Sequence, residues 1–229
     1  MRPSRPATRL IGSASTVTIL LAKGGGTFYP AVSYSSGGQG ALSIAAGDFN
    51  GDGYPDLAVV NNCGNSGCPN GGSVGLLLGR GDGTFNPAVS YPSGGVGADS
   101  VAVGDFNGDG LPDLAVLNNC SRTGCFNGGA LGVLTGNGDG TFQAPHVTSS
   151  GGFYPYSVVT GDFNADGYSD AVITNESMIA GNSNAGSAAV LLSNGDGTFR
   201  TALNYNTGGA SPFSVAVLPF RRYGFLNLA

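Results

Sequence analysis

Most of the acidic residues of the chain are gathered in three copies of one short pattern. Of 14 aspartate and glutamate residues, nine lie in the segments DFNGDGYPD, DFNGDGLPD and DFNADGYSD. In each segment, side chains with an oxygen donor occupy positions 1, 3, 5 and 9, and the carbonyl of position 7 can point inward because a glycine at position 6 permits a sharp bend. Hard oxygen ligands in this number, three of them anionic, suit Ca²⁺ better than Zn²⁺ or Mg²⁺. We therefore predict about three Ca²⁺ per chain, with the ligands Asp48, Asn50, Asp52, Tyr54, Asp56, then Asp105, Asn107, Asp109, Leu111, Asp113, and then Asp162, Asn164, Asp166, Tyr168, Asp170.

Asx turns, in which aspartate and asparagine bond only their own backbone, are the alternative to a metal site. Three carboxylates in one tight loop would repel one another without a cation, and the pattern occurs three times, which favours calcium. The loop is not an EF-hand, because position 12 is Val59, Val116 or Ile173 instead of glutamate. The pattern contains no nucleophile or general base, so we predict a structural role for the ion.

The whole chain repeats with a period of 57 residues. The acidic loops recur at this spacing, and so do the cysteines and the phenylalanines Phe28, Phe85, Phe142 and Phe199 that end each GTF segment. Each unit holds four short apolar runs bounded by glycine, asparagine, aspartate or proline, and no run has a helical period. Four strands per unit predict an all-β fold of stacked antiparallel sheets. Radial stacking into a β-propeller is the usual solution, and a linear β-solenoid is the alternative, although its turns are shorter than this period.

The combination SIAAGDFNGDGYPDLAVVNN followed by GSVGLLLGRGDGTF resembles the FG-GAP/VCBS repeat, the blade of integrin α-subunit propellers and of many exported bacterial propellers. The resemblance extends from about Thr16 to Leu218. It implies a Ca²⁺ in the loop between the first two strands of a blade. It does not imply one activity, because the family includes adhesion receptors, lectins and ancillary domains of secreted enzymes.

The repeat divides the chain into an irregular N-terminal segment and a propeller domain. We place the segment at residues 1–15 and the propeller at residues 16–229, with repeat units at about 16–40, 41–97, 98–154, 155–211 and 212–229. Residues 16–22 match the third strand of a blade by register. Near the other end, the segment PFRRYGFLN replaces an acidic loop and has Pro219, Arg221 and Tyr223 at three ligand positions, so it cannot hold calcium. We expect an open arc cut from a longer propeller, and the alternative is a closed four-bladed ring in which the two ends pair.

The four cysteines occupy the same loop of two consecutive repeats. We predict that Cys63 pairs with Cys68 and that Cys120 pairs with Cys125, because equivalent points on adjacent blades should lie too far apart for a disulfide. A zinc site is the first alternative, although the spacing matches no common pattern, and reduced thiols are the second.

The GDG turns at Asp82, Asp139 and Asp196 are typical of tight hairpins. A second metal site there would have only one carboxylate per turn, so we predict turns instead of ligands. We expect the phenylalanines that follow to pack between blades.

Composition excludes several classes of function. The net charge is −5 and only nine residues are lysine or arginine, which disfavours nucleic acid as a partner. No apolar run approaches the roughly 18 residues of a transmembrane helix. The single histidine, His146, lies in an outer-strand segment where a solvated side chain is expected, so we predict that the protein is not an enzyme.

These features predict a calcium-binding extracellular propeller module that binds a glycan or another protein. A structural spacer within a larger exported protein is the alternative, and a lyase on a propeller scaffold is a weaker one. Disulfides and calcium both point to the outside of the cell or its surface, although no export signal is visible. The sequence offers tyrosines but no tryptophan for glycan contacts and does not identify the ligand.

Overall fold

The computed structural model describes residues 14–64, 71–121, 128–177, 186–222 and 225–228. Every regular element in these residues is a β-strand, which confirms the predicted all-β fold. No helix that could cross a membrane occurs in this part of the chain. The strands, in chain order, are β1 (Ala14–Ile19), β2 (Ala22–Gly24), β3 (Thr27–Phe28), β4 (Val32–Gly47), β5 (Asp56–Gly64), β6 (Ser73–Leu77), β7 (Val89–Pro92), β8 (Gly95–Gly104), β9 (Asp113–Ser121), β10 (Ala130–Leu134), β11 (His146–Ser149), β12 (Phe153–Gly161), β13 (Asp170–Ser177), β14 (Ser187–Leu191), β15 (Leu203–Asn206), β16 (Val217–Arg222) and β17 (Phe225–Leu228).

Three antiparallel sheets form the blades of an open, propeller-like arrangement. Blade 1 consists of the second half of β4 with β5, β6 and β7, blade 2 of β8 to β11, and blade 3 of β12 to β15. Within each blade, neighbours in the sequence are neighbours in the sheet. The pairing repeats with the predicted period, because Leu57 faces Leu77 in blade 1 and Leu114 faces Leu134 in blade 2.

The strand β1 belongs to another blade, of which it forms the third strand. It pairs with the first half of β4, where Thr16 faces Ser35. The equivalent pair 57 residues later joins Ser73 to Pro92, the third and fourth strands of blade 1. We call β1, β2, β3 and the first half of β4 the N-terminal half-blade. The strand predicted at residues 16–22 overlaps β1, which starts two residues earlier, at Ala14, and ends at Ile19. Residues 1–13 of the predicted irregular segment lie outside the described residues.

The strand β4 runs without a break from one blade into the next, whereas the later repeats have two separate strands there. Its first half pairs with β1 and its second half, from Gly38, pairs with β5. In the next repeats the same passage is divided into β7 and β8, and into β11 and β12. One 16-residue strand therefore joins the N-terminal half-blade to blade 1.

The strands β16 and β17 form a separate two-stranded sheet, here called the C-terminal hairpin. Leu218 faces Asn227, which is the register of Gly161 and Asp170, the first and second strands of blade 3. The two strands then continue through the region where the other repeats carry an acidic loop. No sheet among the described strands joins the C-terminal hairpin to β1, so the arrangement is open.

The hydrophobic core consists of layers between neighbouring blades. Along β9, Leu114 and Val116 pack in one layer with residues of blade 1, and Ala115 and Leu117 pack in the other layer with residues of blade 3. All four are fully buried, which explains why the strand reads as a continuous apolar run. Burial of each leucine or valine contributes about 1.5–3 kcal/mol, so adjacent blades stabilise each other.

A buried serine–asparagine pair holds the passage from one blade to the next. The Ser36 hydroxyl donates to Asn61 Oδ1 at 2.6 Å, and Asn61 Nδ2 donates back to the Ser36 carbonyl at 2.9 Å. Ser93 and Asn118 form the same pair in the next repeat. Sequence analysis missed these residues, although both recur at the 57-residue spacing.

Candidate metal centre

Each acidic loop connects the first and second strands of its blade, as predicted. The loops follow β4, β8 and β12 and lie at the same edge of the three blades. The glycine at position 6 adopts a positive φ in every copy, +83° at Gly53, +79° at Gly110 and +93° at Gly167. This left-handed conformation is the one that glycine permits most readily, and it produces the predicted bend.

The first carboxylate of each loop accepts backbone amides from the bend that follows it. Asp48 accepts hydrogen bonds from the amides of Asp52, at 3.1 Å, and Gly53, at 2.8 Å. In the second loop, Asp105 accepts the amide of Gly110 at 2.9 Å. The bend therefore curls around this carboxylate, which brings the third and fifth positions beside it.

The asparagine and aspartate at positions 3 and 5 are joined side chain to side chain. Asn50 Nδ2 donates to Asp52 Oδ2 at 2.8 Å, and the other Asp52 oxygen accepts the amide of Tyr54 at 2.8 Å. The same asparagine–aspartate bond joins Asn107 to Asp109 at 2.8 Å, and the third loop repeats it at 2.7 Å. The bond from the Tyr54 amide, like that from the Asp52 amide to Asn50 Oδ1 at 3.2 Å, is an Asx-turn bond, so the local geometry considered as the alternative to a metal site is present in the structure.

The carboxylate at position 9 is fully buried and ties the loop to the segment that follows the third strand of its own blade. Asp56 Oδ2 accepts the amide of Phe49 at 2.9 Å, and Asp56 Oδ1 accepts the amide of Gly79, 23 residues away, at 2.7 Å. Burial raises the pKa of Asp56, and the nearby charges of Asp52 and Asp48 raise this pKa further.

The equivalent carboxylates in the other blades are held in the same way. Asp113 accepts the amides of Phe106 and Gly136, at 2.9 and 2.8 Å. Burial raises the pKa of Asp113 to about 6. Burial also raises the pKa of Asp170, which accepts the amide of Ser193 at 2.8 Å.

The side chain at position 7 packs against the GDG turn of the same blade. A Cβ atom at Gly81 would lie 2.4 Å from the Tyr54 ring, and one at Gly195 would lie 2.7 Å from the Tyr168 ring. Only glycine permits this approach. The residue predicted to contribute a carbonyl ligand therefore also connects the acidic loop to the neighbouring turn.

Each of the first two loops is also bonded to the GDG turn of the next blade. The carbonyl of Phe49 accepts the amide of Gly140 at 2.9 Å, and the Phe49 ring meets the Phe142 ring edge to face at 5.6 Å. Phe106 and Phe199 make the equivalent ring contact at 5.4 Å. The prediction that the phenylalanines of the GDGTF segments pack between blades is confirmed for Phe142 and Phe199.

The comparison with protein families gives a match to three segments of the chain. A model described as the FG-GAP-like repeat matches residues 10–59, 64–116 and 123–173, which together make up more than half of the 229 residues. Each matched segment includes one acidic loop. The chain belongs to the FG-GAP-like repeat family. The search of curated proteins finds no match.

The oxygen donors of each FG-GAP-like loop fit a hard divalent cation by their chemistry. Three carboxylates and one amide oxygen lie within nine residues, and Asp52 and Asp109 are exposed to solvent, where an ion can reach them. In the described residues, however, no three side chains of histidine, cysteine, aspartate or glutamate form a metal-holding group, because the carboxylates are directed to backbone amides. The calcium sites therefore stay a prediction.

The cysteine-bearing loops are described only in part. Cys63 lies on β5 and Cys120 on β9, at equivalent places in two repeats. The predicted partners Cys68 and Cys125 lie outside the described residues. Both disulfide pairings remain predictions.

Two acidic residues outside the repeated loops have specific partners that sequence analysis did not find. Asp99 on β8 accepts hydrogen bonds from Asn119 of its own blade, at 2.5 Å, and from Asn62 of blade 1, at 3.5 Å. Burial is the main reason why the pKa of Asp99 is raised. Glu176 accepts the hydroxyl of Tyr156 at 2.6 Å. The asparagines recur at the repeat spacing, whereas Asp99 has no equivalent aspartate and gave no pattern to detect.

The single histidine has the surroundings expected of a solvated residue. His146 begins the outer strand β11, where it faces Val133 across the sheet, and its side chain is exposed. Its predicted location on an outer strand is confirmed.

Proposed function

We propose that this FG-GAP-like protein is a calcium-stabilised propeller module that binds a glycan or a protein outside the cell. The observation that carries the proposal is the threefold repetition of one loop geometry. In each loop, the first carboxylate encloses the bend, the third and fifth side chains meet, and the ninth carboxylate anchors the loop to its blade. The three carboxylates of every copy give the loop a charge of −3, which hydrogen bonds from neutral amides do not cancel.

Calcium would supply the positive charge that these loops lack. The residues that would hold it are the aspartates and the asparagine at positions 1, 3, 5 and 9 of each loop, together with the carbonyl of position 7. Because the loops of blades 1 and 2 are bonded to the GDG turn of the next blade, stiffening a loop would also stabilise the contact between blades.

Binding of an extracellular partner is proposed on the basis of the family and of exposed aromatic side chains. Repeats of this family are typical of extracellular proteins. Tyr154 and Tyr205 are each 57% exposed, and such rings can stack on sugars. A spacer without a ligand is the competing proposal, and we propose no catalytic activity for the chain.

Isothermal titration of chelator-treated protein with Ca²⁺ tests the metal, and a glycan array probed with and without Ca²⁺ tests the ligand. We expect about three ions per chain and a higher melting temperature in calcium, because a ligand that binds only the folded state stabilises it by mass action. Absence of calcium binding would refute the proposal. Calcium binding without any glycan or protein ligand would instead support the spacer.

A further inference from the structure

The face of blade 1 that is turned away from blade 2 carries an open groove, whose lining includes Thr16 and Ser43 beside apolar side chains. Val17 of the N-terminal half-blade and Leu42, Ile44 and Val59 of blade 1 line this groove, which has a volume of about 480 Å³. Leu42 is 58% exposed and Ile44 is 50% exposed. Two large apolar side chains are therefore exposed next to each other on this face.

The equivalent positions in the later blades are covered. Val101 and Val158 occupy the position of Ile44, one and two repeats later, and are only 8% and 4% exposed. Val101 packs in one core layer with Ala58 and Val60, which lie on the second strand of the preceding blade. The groove at Ile44 therefore lies where the second strand of a preceding blade would pack.

On the side of its outer strands, blade 1 already contacts the N-terminal half-blade. The rings of Tyr34 and Phe85 meet edge to face at 5.6 Å, which repeats the contact of Tyr91 and Phe142, at 5.4 Å, one blade later. The groove thus continues an interface that the N-terminal half-blade has already formed with blade 1. Among the described strands, β1 stands at the end of its sheet and has one unpaired edge.

The C-terminal hairpin has the register of a first and a second strand, whereas the described strands of the N-terminal half-blade have that of a third and a fourth. Val217 faces Leu228, and the hairpin forms a sheet of its own. It lies against blade 3, where a Cβ at Gly161 would come within 3.0 Å of the Leu226 side chain. The hairpin and the half-blade are complementary pieces of one four-stranded blade at opposite ends of the same arc.

We infer that the C-terminal hairpin of a second copy of this chain docks beside β1 and completes a blade shared by two molecules. The repeat register aligns Leu228 of one copy with Leu20 of the other, as Leu57 faces Leu77 in blade 1. The chain's own hairpin packs against blade 3, and three complete blades separate it from β1, which favours the hairpin of a second copy. Mutual exchange between two copies gives a closed, two-fold symmetric assembly. The inference does not depend on calcium or on an extracellular ligand.

Two one-sided variants test the docking by sedimentation equilibrium. Ile44→Asp places a charge in the groove and leaves the hairpin intact, whereas a chain that ends at Ala216 keeps the groove and lacks the hairpin. We expect the unaltered chain to sediment at about twice its 22.7 kDa mass and each variant alone to sediment as a monomer. An equimolar mixture of the two variants should recover a dimer, because one supplies the hairpin and the other the groove. Val89→Asp is the matched control, since Val89 is 55% exposed on an outer strand and should leave the dimer unchanged.

Three results would overturn the inference. They are a wild-type chain that stays monomeric, an Ile44→Asp variant that still dimerises, and a mixture that stays monomeric although both variants keep the β-sheet circular dichroism of the wild type. If Ile44→Asp does not fold, Leu42→Asp tests the same groove at a more exposed position. A chain with Leu20→Cys and Leu228→Cys distinguishes the source of the hairpin: a crosslink between two molecules supports the inference, and a crosslink within one chain overturns it in favour of a closed ring.

Discussion

The carboxylate of Asp113 holds the backbone amide of Phe106 at 2.9 Å inside the protein, and its second oxygen holds the amide of Gly136. The carbonyl of Phe106 in turn accepts the amide of Gly197 in the next blade at 3.2 Å. One buried side chain thus connects the acidic loop, the end of its own blade and, through Phe106, the following blade. This arrangement gives the ninth position of the loop a structural task that does not require a metal.

Replacing Asp113 by alanine should destabilise the protein strongly even in the absence of calcium. Two buried amides would lose their acceptor, and each unsatisfied group costs about 1–3 kcal/mol, so we expect a loss of roughly 2–5 kcal/mol in the free energy of unfolding. Urea denaturation in a chelator measures it. Asp139→Ala in the same blade is the control and should cost much less, because Asp139 is solvent-accessible and bonds only the adjacent Thr141. Equal effects of the two substitutions would contradict the structural task.

The metal-free protein should become less stable as the pH rises from about 4.5 to 7. The pKa of Asp113 is raised to about 6 in the folded protein, above the 3.8 of the free side chain, so the folded state favours the protonated form. The contribution of Asp113 to the free energy of unfolding is fully present below its pKa in the unfolded chain. This contribution is lost as the pH rises through its pKa in the folded protein. The pKa values of Asp56 and Asp170 are raised as well and act in the same direction.

Thermal melts in a chelator across this pH range check the prediction. The hydrogen bonds from Thr141 lower the pKa of Asp139, so the stability that Asp139 contributes is lost only below pH 3.8. It therefore does not change over the pH range of these melts. In saturating calcium the trend should reverse, because protons compete with the ion for the carboxylates. A chelated protein that melts at the same temperature at pH 4.5 and pH 7 would contradict the prediction.

Ala165→Gly should stabilise the third acidic loop. Ala165 has φ +61°, a left-handed conformation that costs a residue with a side chain about 1 kcal/mol, and Gly51 occupies the same place in the first loop at φ +70°. We expect a gain of about 0.5–1 kcal/mol in the free energy of unfolding, by chemical denaturation. The reverse change Gly51→Ala is the matched control, because a Cβ there meets nothing closer than 3.7 Å, and it should destabilise by a similar amount.

Asp109→Ala should remove one calcium ion and leave the other two. All predicted side-chain ligands of a site come from one nine-residue loop, so the sites of blades 1 and 3 keep their donors. Isothermal titration should give about two ions per chain instead of three, and Asp82→Ala, in a GDG turn, should leave three. Loss of all binding in the Asp109 variant would show that the sites depend on one another through the contacts between blades.

Peptide mapping under non-reducing conditions should find Cys63 linked to Cys68 and Cys120 linked to Cys125. Each bridge would close a loop with only four intervening residues, so its removal by paired Cys→Ser changes should lower stability only modestly. A link between Cys63 and Cys120, or four free thiols in exported protein, would contradict the prediction.

The sequence by itself determined the features that depend on neighbours along the chain. The period of 57 residues predicted the strands, the positions of the loops between first and second strands, and the N-terminal strand that became β1. The bend at Gly53 was readable as well, because a glycine between aspartates produces a turn through local sterics and hydrogen bonds. Such interactions reach only a few residues, so the pattern of residue types contains them.

Only the tertiary structure decided which of these residues contact parts of the chain that are distant in the sequence. Asp56 and Asp48 look alike in the sequence, yet Asp56 is fully buried against Gly79 while Asp48 bonds the bend beside it. The fusion of two strand segments into β4, the exposure of Ile44 and the bond from Gly140 to Phe49 likewise follow from how sheets stack. The physical reason is that burial and contacts between blades depend on which sheet lies alongside, and identical local sequences meet different neighbours at the ends of an arc and in its middle.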